Sequence, residues 1–465
     1  MGHRNAKLTV HGRRLIVTRV IDEGWSVATT AEAAGVSRAT GSCTQATTPL
    51  TSWPLTYTAV IDDTGGDVFE LSEVLNDNPC KILLLVLDGL GGYADARHDS
   101  ELEQARTPNL DRLAAEGSVG LLDPLMPGVT VGSGPGHLAL FGYDPEGHEL
   151  GRGVLSATGV EFDLRPGDVA ARGNLATLDA EGNVTDRRAG RIADEPASEL
   201  TALLNQQVEL EGVEVFFQHI SQHRVLCVLR ADGLDARIED IDPQRVGVPP
   251  KAPTARHPDA ERTASVLADL DERIRAALAD DDRADVLLLR GFDTLQELPD
   301  FGERYRLRAA TVAAYPMYRG VAKLVGMDVL PRPHGLDEQI ALLREHWDDH
   351  DYFFMHHKAT DQAGHDGLRD DKVVAIEEVD AVIDDLLALE PDVLIVTGDH
   401  SSPTQLSGHS WHPVPVLMWG PHVGRDAVTT FAERTATTGL LGRMPTRQMM
   451  TVALAAAGKL EKWGA

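Results

Sequence analysis

The chain of 465 residues is poor in cysteine, in long apolar runs and in positive charge. Its three cysteines, Cys43, Cys80 and Cys227, are too few and too far apart for a disulfide framework or for a zinc site built on paired cysteines. This usage is typical of a protein in a reducing compartment. We therefore expect a cytoplasmic location.

Long hydrophobic segments are missing as well. The first 30 residues contain scattered arginines but no apolar core of signal-peptide length, and no later segment reaches the ~18 apolar residues of a membrane span. The sequence therefore predicts neither secretion nor contact with a membrane. Because 42% of the residues are hydrophobic, the chain can still build the cores of about two or three folded domains.

The formal net charge of −29 argues against general nucleic-acid binding, because phosphate backbones are held by an excess of lysine and arginine. Residues 1–52 differ from the rest, since they hold six basic and three acidic residues. Within them, residues 5–40 resemble the first part of a helix-turn-helix from insertion-sequence transposases. Binding of DNA through residues 1–40 is thus an alternative function of another class.

That resemblance ends where a recognition helix should continue. After Thr40 the chain reads GSCTQATTPLTSWPL, whose glycine, threonine and proline residues oppose a helix. We therefore expect residues 1–66 to be an appended, non-functional fragment followed by a linker.

The pattern changes at Lys81, where apolar runs that end in aspartate begin. They are KILLLVLDGLGG from Lys81, DYFFMHHKATD at 351–361 and PDVLIVTGDHSS at 391–402. Each run predicts a buried strand of the parallel type. Helical patterns lie between or beside them, at 105–117, 336–347 and 371–389. This alternation predicts a doubly wound α/β sheet.

Ligands of such sheets bind beyond the carboxyl ends of the strands, where Asp88, Asp361 and Asp399 fall. Histidines accompany these carboxylates, namely His365, His400, His409 and His412. Carboxylates mixed with imidazoles suit Mn²⁺, Zn²⁺ or a related divalent ion, because the donor set is neither all oxygen nor thiolate.

The stretch GSGPGHLALFGYDP, residues 132–145, contains a serine among glycines. It is not a P-loop, because His137 and Leu138 stand where that loop needs lysine and a hydroxyl residue. The nucleophile motif G-x-S-x-G does not fit either, because Gly132 directly precedes Ser133. On these residues alone, Ser133 is either a nucleophile or the cap of a helix.

Five motifs in this order resemble the archaeal-type branch of the cofactor-independent (2,3-bisphosphoglycerate-independent) phosphoglycerate mutases, in the alkaline phosphatase superfamily. They are VLDGLGG, the S-x-x-G-H of Ser133 to His137 with FGYDP, D-x-x-x-H at 361–365, GDHS around Asp399, and HSWHPVP from His409. The resemblance implies an α/β, alkaline-phosphatase-like core, residues 67–164 and 307–465. A smaller α+β substrate-binding domain, residues 165–306, would be inserted into it.

The resemblance also implies a reaction and a metal centre. The enzyme would interconvert 3-phosphoglycerate and 2-phosphoglycerate through a phosphoserine at Ser133. Two divalent ions would be needed, Mn²⁺ by preference, with Zn²⁺, Co²⁺ or Mg²⁺ as alternatives. The first, held by Asp88, Ser133, Asp399 and His400, would activate the serine, and the second would be held by Asp361, His365 and His409.

Arginine forks suit the phosphate and carboxylate ends of a phosphoglycerate. Candidates in the inserted domain are Arg172, Arg187, Arg188, Arg191 and Arg224. A solvated basic hairpin is the alternative interpretation. The bacterial branch of the family carries a lysine in a stretch that reads RLRAATVAAYPMYRG here, and Arg319 or Lys323 could replace its charge.

Another enzyme of the superfamily is the nearest alternative function. A metal-dependent phosphohydrolase or phosphopentomutase would share the seven predicted ligands and would differ in the inserted domain. The specificity of these candidate arginines is what separates the activities.

Overall fold

The computed structural model describes residues 70–147, 150–295 and 298–464. They belong to two units, Met1–Glu73 and Val74–Ala465, and the described part of the first is a 3₁₀ turn at Leu71–Glu73. The predicted helix-turn-helix-like fragment and linker, residues 1–66, lie outside the described residues. None of the helices in the described ranges is both long enough and apolar enough to cross a membrane.

Strands and helices of the second unit follow one another along the chain. The strands are β1 (Ile82–Leu87), β2 (Ser118–Asp123), β3 (Val169–Leu178), β4 (Val184–Asp186), β5 (Glu214–Ser221), β6 (Arg224–Arg230), β7 (Val286–Thr294), β8 (Ala309–Thr311), β9 (Asp328–Val329), β10 (Tyr352–His357), β11 (Val393–Thr397), β12 (Val414–Trp419) and β13 (Gly442–Pro445). The helices are α1 (Glu101–Gln104), α2 (Pro108–Glu116), α3 (Ser133–Leu140), α4 (Arg152–Gly159), α5 (Asp194–Gln207), α6 (Glu261–Leu278), α7 (Phe301–Tyr305), α8 (Pro316–Leu324), α9 (Leu336–His346), α10 (Ala359–Asp366), α11 (Arg369–Ala381), α12 (Ile383–Leu387), α13 (Glu433–Ala436) and α14 (Met449–Ala456).

An eight-stranded sheet with the order β13-β2-β12-β11-β1-β10-β8-β9 forms the larger layer. The five strands from β11 to β9 are parallel, and β12 is antiparallel to both of its neighbours. All six residues of β1 are buried, as expected for a central parallel strand covered on both faces. The predicted α/β fold is confirmed.

The three apolar runs that end in aspartate form β1, β10 and β11, which are neighbours at the centre of this sheet. Two details differ from the sequence-based expectation. Asp361 lies in the first turn of α10 rather than at a strand end, because β10 stops at His357. The helix expected over 371–389 is divided at Val382 into α11 and α12.

A second, five-stranded sheet consists of β3 to β7, with β3 paired to β6 on one side and to β7 on the other. Leucines of α5 and α6 pack on one face of it. Ala157 of α4 packs on the opposite face with Ala170 and Val228. The boundaries expected for an inserted domain, residues 165 and 306, stay a prediction.

Candidate active site

Three carboxylates meet beyond the carboxyl ends of β1, β10 and β11. Asp88 follows β1 directly, Asp399 follows β11 after Gly398, and Asp361 comes from the first turn of α10. Asp88 and Asp399 are fully buried, and Asp361 is 3% exposed. Parallel strands bring their carboxyl ends to one edge, so three segments far apart in sequence supply one site.

Two groups of side chains in the described residues have the geometry of a metal site. Asp88, Asp399 and His400 form one group, Asp361, His400 and His409 form the other, and within each group the ligand atoms lie within 4.8 Å of one another. His400 belongs to both groups. Its Nε2 lies 3.2 Å from Asp399 Oδ2 and 3.4 Å from Asp88 Oδ1.

The chemistry of this donor set fits divalent cations. Asp88 Oδ1 and Asp399 Oδ2 are buried oxygens without a hydrogen-bond partner, and buried carboxylates are costly unless a cation or hydrogen-bond donor faces them. Burial and Asp399 raise the pKa of Asp88, but the hydrogen bond from His356 and the Lys358 ammonium outweigh them and lower it to about 2. The Asp88 carboxylate is therefore ionised at neutral pH and available to a metal.

His365 lies beside the second group, with its Nε2 3.6 Å from Asp361 Oδ1 and its ring 4.9 Å from the ring of His409. It is half exposed. His412 hydrogen-bonds the Ser410 hydroxyl and stacks between Tyr93 and a neighbouring tryptophan. His365 is thus close to the cluster, and His412 is held by other rings.

Ser133 is the first residue of α3, and Gly132 caps the helix. The Ser133 hydroxyl lies 3.0 Å from His400 Nε2. His137 lies one turn later, where its Nδ1 is 2.8 Å from the Ser133 carbonyl oxygen and 3.3 Å from Asp399 Oδ2. The serine therefore touches the histidine that the two metal-type groups share.

Two glycines allow this close packing. Gly89, after Asp88, has a φ of +63°, and a Cβ there would lie 2.8 Å from Asp361 Oδ1. A Cβ on Gly136 of α3 would lie 2.5 Å from the backbone oxygen of Asp399. Helix α3 can therefore approach the loop after β11 only with glycine at this position.

Lys358 was not singled out by sequence analysis, although it stands three residues before Asp361. Its Nζ donates to Asp88 Oδ2 at 2.9 Å, to Asp361 Oδ2 and to the Tyr318 hydroxyl at 3.0 Å. Burial lowers the pKa of Lys358, but the two carboxylates outweigh burial and raise it well above its usual value. The site thus has a permanent ammonium group, and the i, i+3 spacing to Asp361 was its sequence signal.

Arg319 and Lys323, the two cations considered as replacements for the bacterial lysine, do not contact the carboxylate site through any hydrogen bond or ion pair among the described residues. Arg319 donates to the Ala313 carbonyl and to Glu161. Lys323 is 68% exposed, with its Nζ 3.7 Å from Asp163.

A second cluster, which we call the arginine cluster, consists of Arg152, Arg172, Arg224 and Arg290. Arg172 of β3 and Arg290 of β7 are paired in register, and each has a buried Nε without a hydrogen-bond partner. Burial, followed by the charges of Arg290, Arg152 and Arg224, lowers the pKa of Arg172 to about 10. Sequence analysis included Arg172 and Arg224 but missed the other two.

The remaining predicted arginines lie nearby on the second sheet. Arg187 makes a bidentate ion pair with the buried Asp242, with Nε 2.9 Å from Oδ1. Arg188 and Arg191 are exposed. Asp242 Oδ2 also lies 3.9 Å from Arg290 Nη1, so Arg187 is linked to the arginine cluster through a shared carboxylate.

Helix α4 connects the arginine cluster with the serine. Arg152 begins this helix, and a Cβ added at Gly134, next to Ser133, would lie 3.0 Å from the methyl groups of Leu155. One short helix therefore contacts both the turn that carries Ser133 and the face of the sheet that carries the arginines.

An α/β sheet that gathers carboxylates, histidines and a serine at one edge is typical of the alkaline phosphatase superfamily. Residues 114–283 match a family model described as 2,3-bisphosphoglycerate-independent phosphoglycerate mutase. Residues 1–47 match a model described as the leucine-zipper of insertion element IS481.

Relatives give the family directly. A probable 2,3-bisphosphoglycerate-independent phosphoglycerate mutase from Thermus thermophilus is 48% identical over 400 residues, 85% of this chain and 98% of the relative. One from Thermotoga maritima is 42% identical over 396 residues, with the same coverage. The chain belongs to the 2,3-bisphosphoglycerate-independent phosphoglycerate mutases, and the recognition made from its motifs is confirmed.

Solved structures agree with this assignment. A Pyrococcus horikoshii protein is similar with a TM-score of 0.71 and 30% identity, covering 83% of this chain and 100% of that one. A cofactor-independent phosphoglycerate mutase from Thermoplasma acidophilum is similar with a TM-score of 0.65 and 28% identity, covering 82% and 100%.

The close approach at Gly136 generates a test of the site's geometry. We expect Gly136→Ala to push α3 away from Asp399, to lower stability by about 1–3 kcal/mol and to weaken divalent metal binding. Calorimetric metal titration and thermal unfolding measure both effects. Gly132→Ala is the control, because a Cβ there meets nothing within 4 Å. Equal behaviour of the two variants would contradict this account.

Proposed function

We propose that this protein interconverts 3-phosphoglycerate and 2-phosphoglycerate through a phosphoserine at Ser133, without 2,3-bisphosphoglycerate. The observation that carries the proposal is the position of the Ser133 hydroxyl, 3.0 Å from the histidine common to both metal-type groups. Membership of the mutase family supports the choice of substrate. The start of α3 adds backbone N–H groups that favour a bound phosphate.

The proposed metal ligands are those that the sequence predicted. Asp88, Ser133, Asp399 and His400 would hold one divalent ion, and Asp361, His365 and His409 would hold the other, with His400 within reach of it. Bound ions would lower the pKa of the serine hydroxyl and offset charge on phosphate oxygens. We propose Mn²⁺ as the ion, with Zn²⁺, Co²⁺ and Mg²⁺ as alternatives.

The reaction would use Ser133 twice. Its oxygen loses a proton and forms a bond to phosphorus while the bond from phosphorus to the glycerate oxygen breaks, and that glycerate oxygen takes a proton to become a hydroxyl group. The oxygen of the other glycerate hydroxyl then loses its proton and forms a bond to phosphorus, while the bond from phosphorus to the Ser133 oxygen breaks and that oxygen regains a proton. The glycerate must stay bound and reorient between these steps, which is what distinguishes a mutase from a phosphatase.

The arginine cluster is the proposed site for the anionic groups of the glycerate. Arg172 and Arg290 offer buried, unpaired N–H groups, and their mutual repulsion would be relieved by an anion. His223, beside Arg224, is buried, and its burial lowers its pKa to about 4, so it stays neutral and can hydrogen-bond a hydroxyl group. Of the other predicted cations, Arg188 and Arg191 keep free access to solvent at this sheet, whereas Arg187, Arg319 and Lys323 have acidic neighbours.

Removal of metal tests the cofactor. We expect chelation to abolish mutase activity, because three carboxylates and the serine would lose their cations, and Mn²⁺, Co²⁺, Zn²⁺ or Mg²⁺ to restore it to different extents. Added 2,3-bisphosphoglycerate should make no difference. A coupled assay of 2-phosphoglycerate formation measures both results. Full activity of metal-free protein, or an absolute need for the bisphosphate, would overturn the proposal.

Substitution of the nucleophile tests the chemistry. Ser133→Ala should fold and bind metal, because the carboxylate and histidine ligands remain, but it should lose all phosphoryl transfer. Mass spectrometry of enzyme quenched with substrate should find phosphate on Ser133 in the wild type and none in the variant. Ser265→Ala on the exposed face of α6 is the matched control. Turnover that survives in Ser133→Ala would refute the role of Ser133.

Substitution of Arg172 in the arginine cluster should have opposite effects on stability and activity. Arg172→Met should raise the melting temperature, because it removes a partly buried charge that neighbouring arginines repel. It should lower kcat/KM by roughly 10- to 150-fold, because the loss of one charge-assisted hydrogen bond costs about 1.5–3 kcal/mol. Arg273→Met, an exposed residue paired with Asp269, is the control. A lower melting temperature with unchanged kcat/KM would show that Arg172 is only structural.

A further inference from the structure

Lys358 contacts only one of the two oxygens in each of the Asp88 and Asp361 carboxylates. It donates to Oδ2 of Asp88 and to Oδ2 of Asp361, whereas the other oxygen of each carboxylate faces the histidines. Asp88 Oδ1 lies 3.4 Å from His400 Nε2, and Asp361 Oδ1 lies 3.7 Å from His409 Nε2. A single ammonium group therefore joins one carboxylate from each metal-type group.

A second donor also binds Oδ2 of Asp88 and leaves Oδ1 without a partner. His356 Nε2 lies 3.1 Å from Asp88 Oδ2, so this oxygen has two partners, while the buried Oδ1 has none. At Asp361, the Ser402 hydroxyl donates to Oδ1 at 2.7 Å, and Lys358 binds Oδ2. Asp88 Oδ1, which has no hydrogen-bond partner, is therefore free to coordinate a cation.

We propose that Lys358 is a positioning residue that makes Asp88 and Asp361 bind their metals through one oxygen each. By occupying both Oδ2 atoms, its ammonium group prevents bidentate coordination and leaves room at each metal for the serine and for phosphate oxygens. Partners outside the ligand shell commonly orient carboxylate ligands in this way. The inference rests on the proposed two-metal site and deepens it.

Cobalt provides a spectroscopic test that does not depend on turnover. The visible absorption of Co²⁺ weakens as its coordination number rises, so it reports whether carboxylates are monodentate. We expect Lys358→Met, which keeps the length of the chain but removes the donor, to bind Co²⁺ with weaker visible absorption than the wild type. Lys358→Arg should restore the absorption, since Lys358 borders a cavity of about 1070 Å³ that can admit a guanidinium group.

A second measurement separates this role from simple packing. In metal-free protein, Lys358 compensates two buried carboxylates, so Lys358→Met should lower the melting temperature more without metal than with it. If that variant does not fold, Lys358→Gln keeps a hydrogen-bond donor without the charge and should keep the wild-type cobalt absorption. Lys462→Met, an exposed residue, is the control and should change neither quantity.

The outcomes distinguish the two proposals. If wild-type protein binds no Co²⁺, the metal site itself is refuted, and the role of Lys358 is refuted with it. If the wild type binds Co²⁺ and Lys358→Met gives the same absorption spectrum, only the positioning role is overturned. Weaker absorption in Lys358→Met with recovery in Lys358→Arg supports it.

Discussion

The structure depends on the cost of bringing three carboxylates together in a buried site. Two like charges about 4 Å apart repel by roughly 4 kcal/mol at an effective dielectric constant near 20, and Asp88, Asp361 and Asp399 are all nearly inaccessible to water. The protein offsets part of this cost itself. Lys358 bonds two of the carboxylates, while His137 and His400 outweigh the burial of Asp399 and lower its pKa. The unpartnered oxygens that remain are where cations would contribute most.

The loops that carry these carboxylates are fixed by another buried cation. Lys372 of α11 is fully buried, and its Nζ donates to the carbonyl oxygens of Gly89, Gly91 and Ser402. These carbonyls belong to the segments after β1 and β11. Burial lowers the pKa of Lys372, and Glu101 partly opposes this effect. One ammonium group thus holds the two segments together. The positions of Asp88 and Asp399 therefore depend on the backbone of these segments as well as on side-chain contacts.

The sequence predicted the sheet and the ligand-bearing segments because both depend on local patterns. A short apolar run followed by aspartate can be recognised in the sequence alone. The three runs of this kind form β1, β10 and β11, as predicted. The position of Asp361 on α10 was missed, because the end of a strand depends on pairing partners: β1 extends only to Leu87, the residue paired with His357. Lys358 was overlooked because two of its three partners, Asp88 and Tyr318, are distant in the chain.

The arginine cluster was predictable only in part, for a related reason. Arg172 and Arg290 each stand seven residues from the nearest other arginine, so spacing alone does not distinguish them. Arg152 and Arg290 join the cluster through α4 and the pairing of β3 with β7. The two sites then have complementary charge: the carboxylates are buried, whereas Arg172, Arg224 and Arg290 are partly buried and Arg152 is exposed. A cation at the first site and an anion at the second would offset repulsion between like charges, so bound metals and phosphoglycerate would add to the stability of the fold. Helix α4 contacts both the turn around Ser133 and the arginine face, so an anion held by the cluster would be fixed relative to the Ser133 hydroxyl.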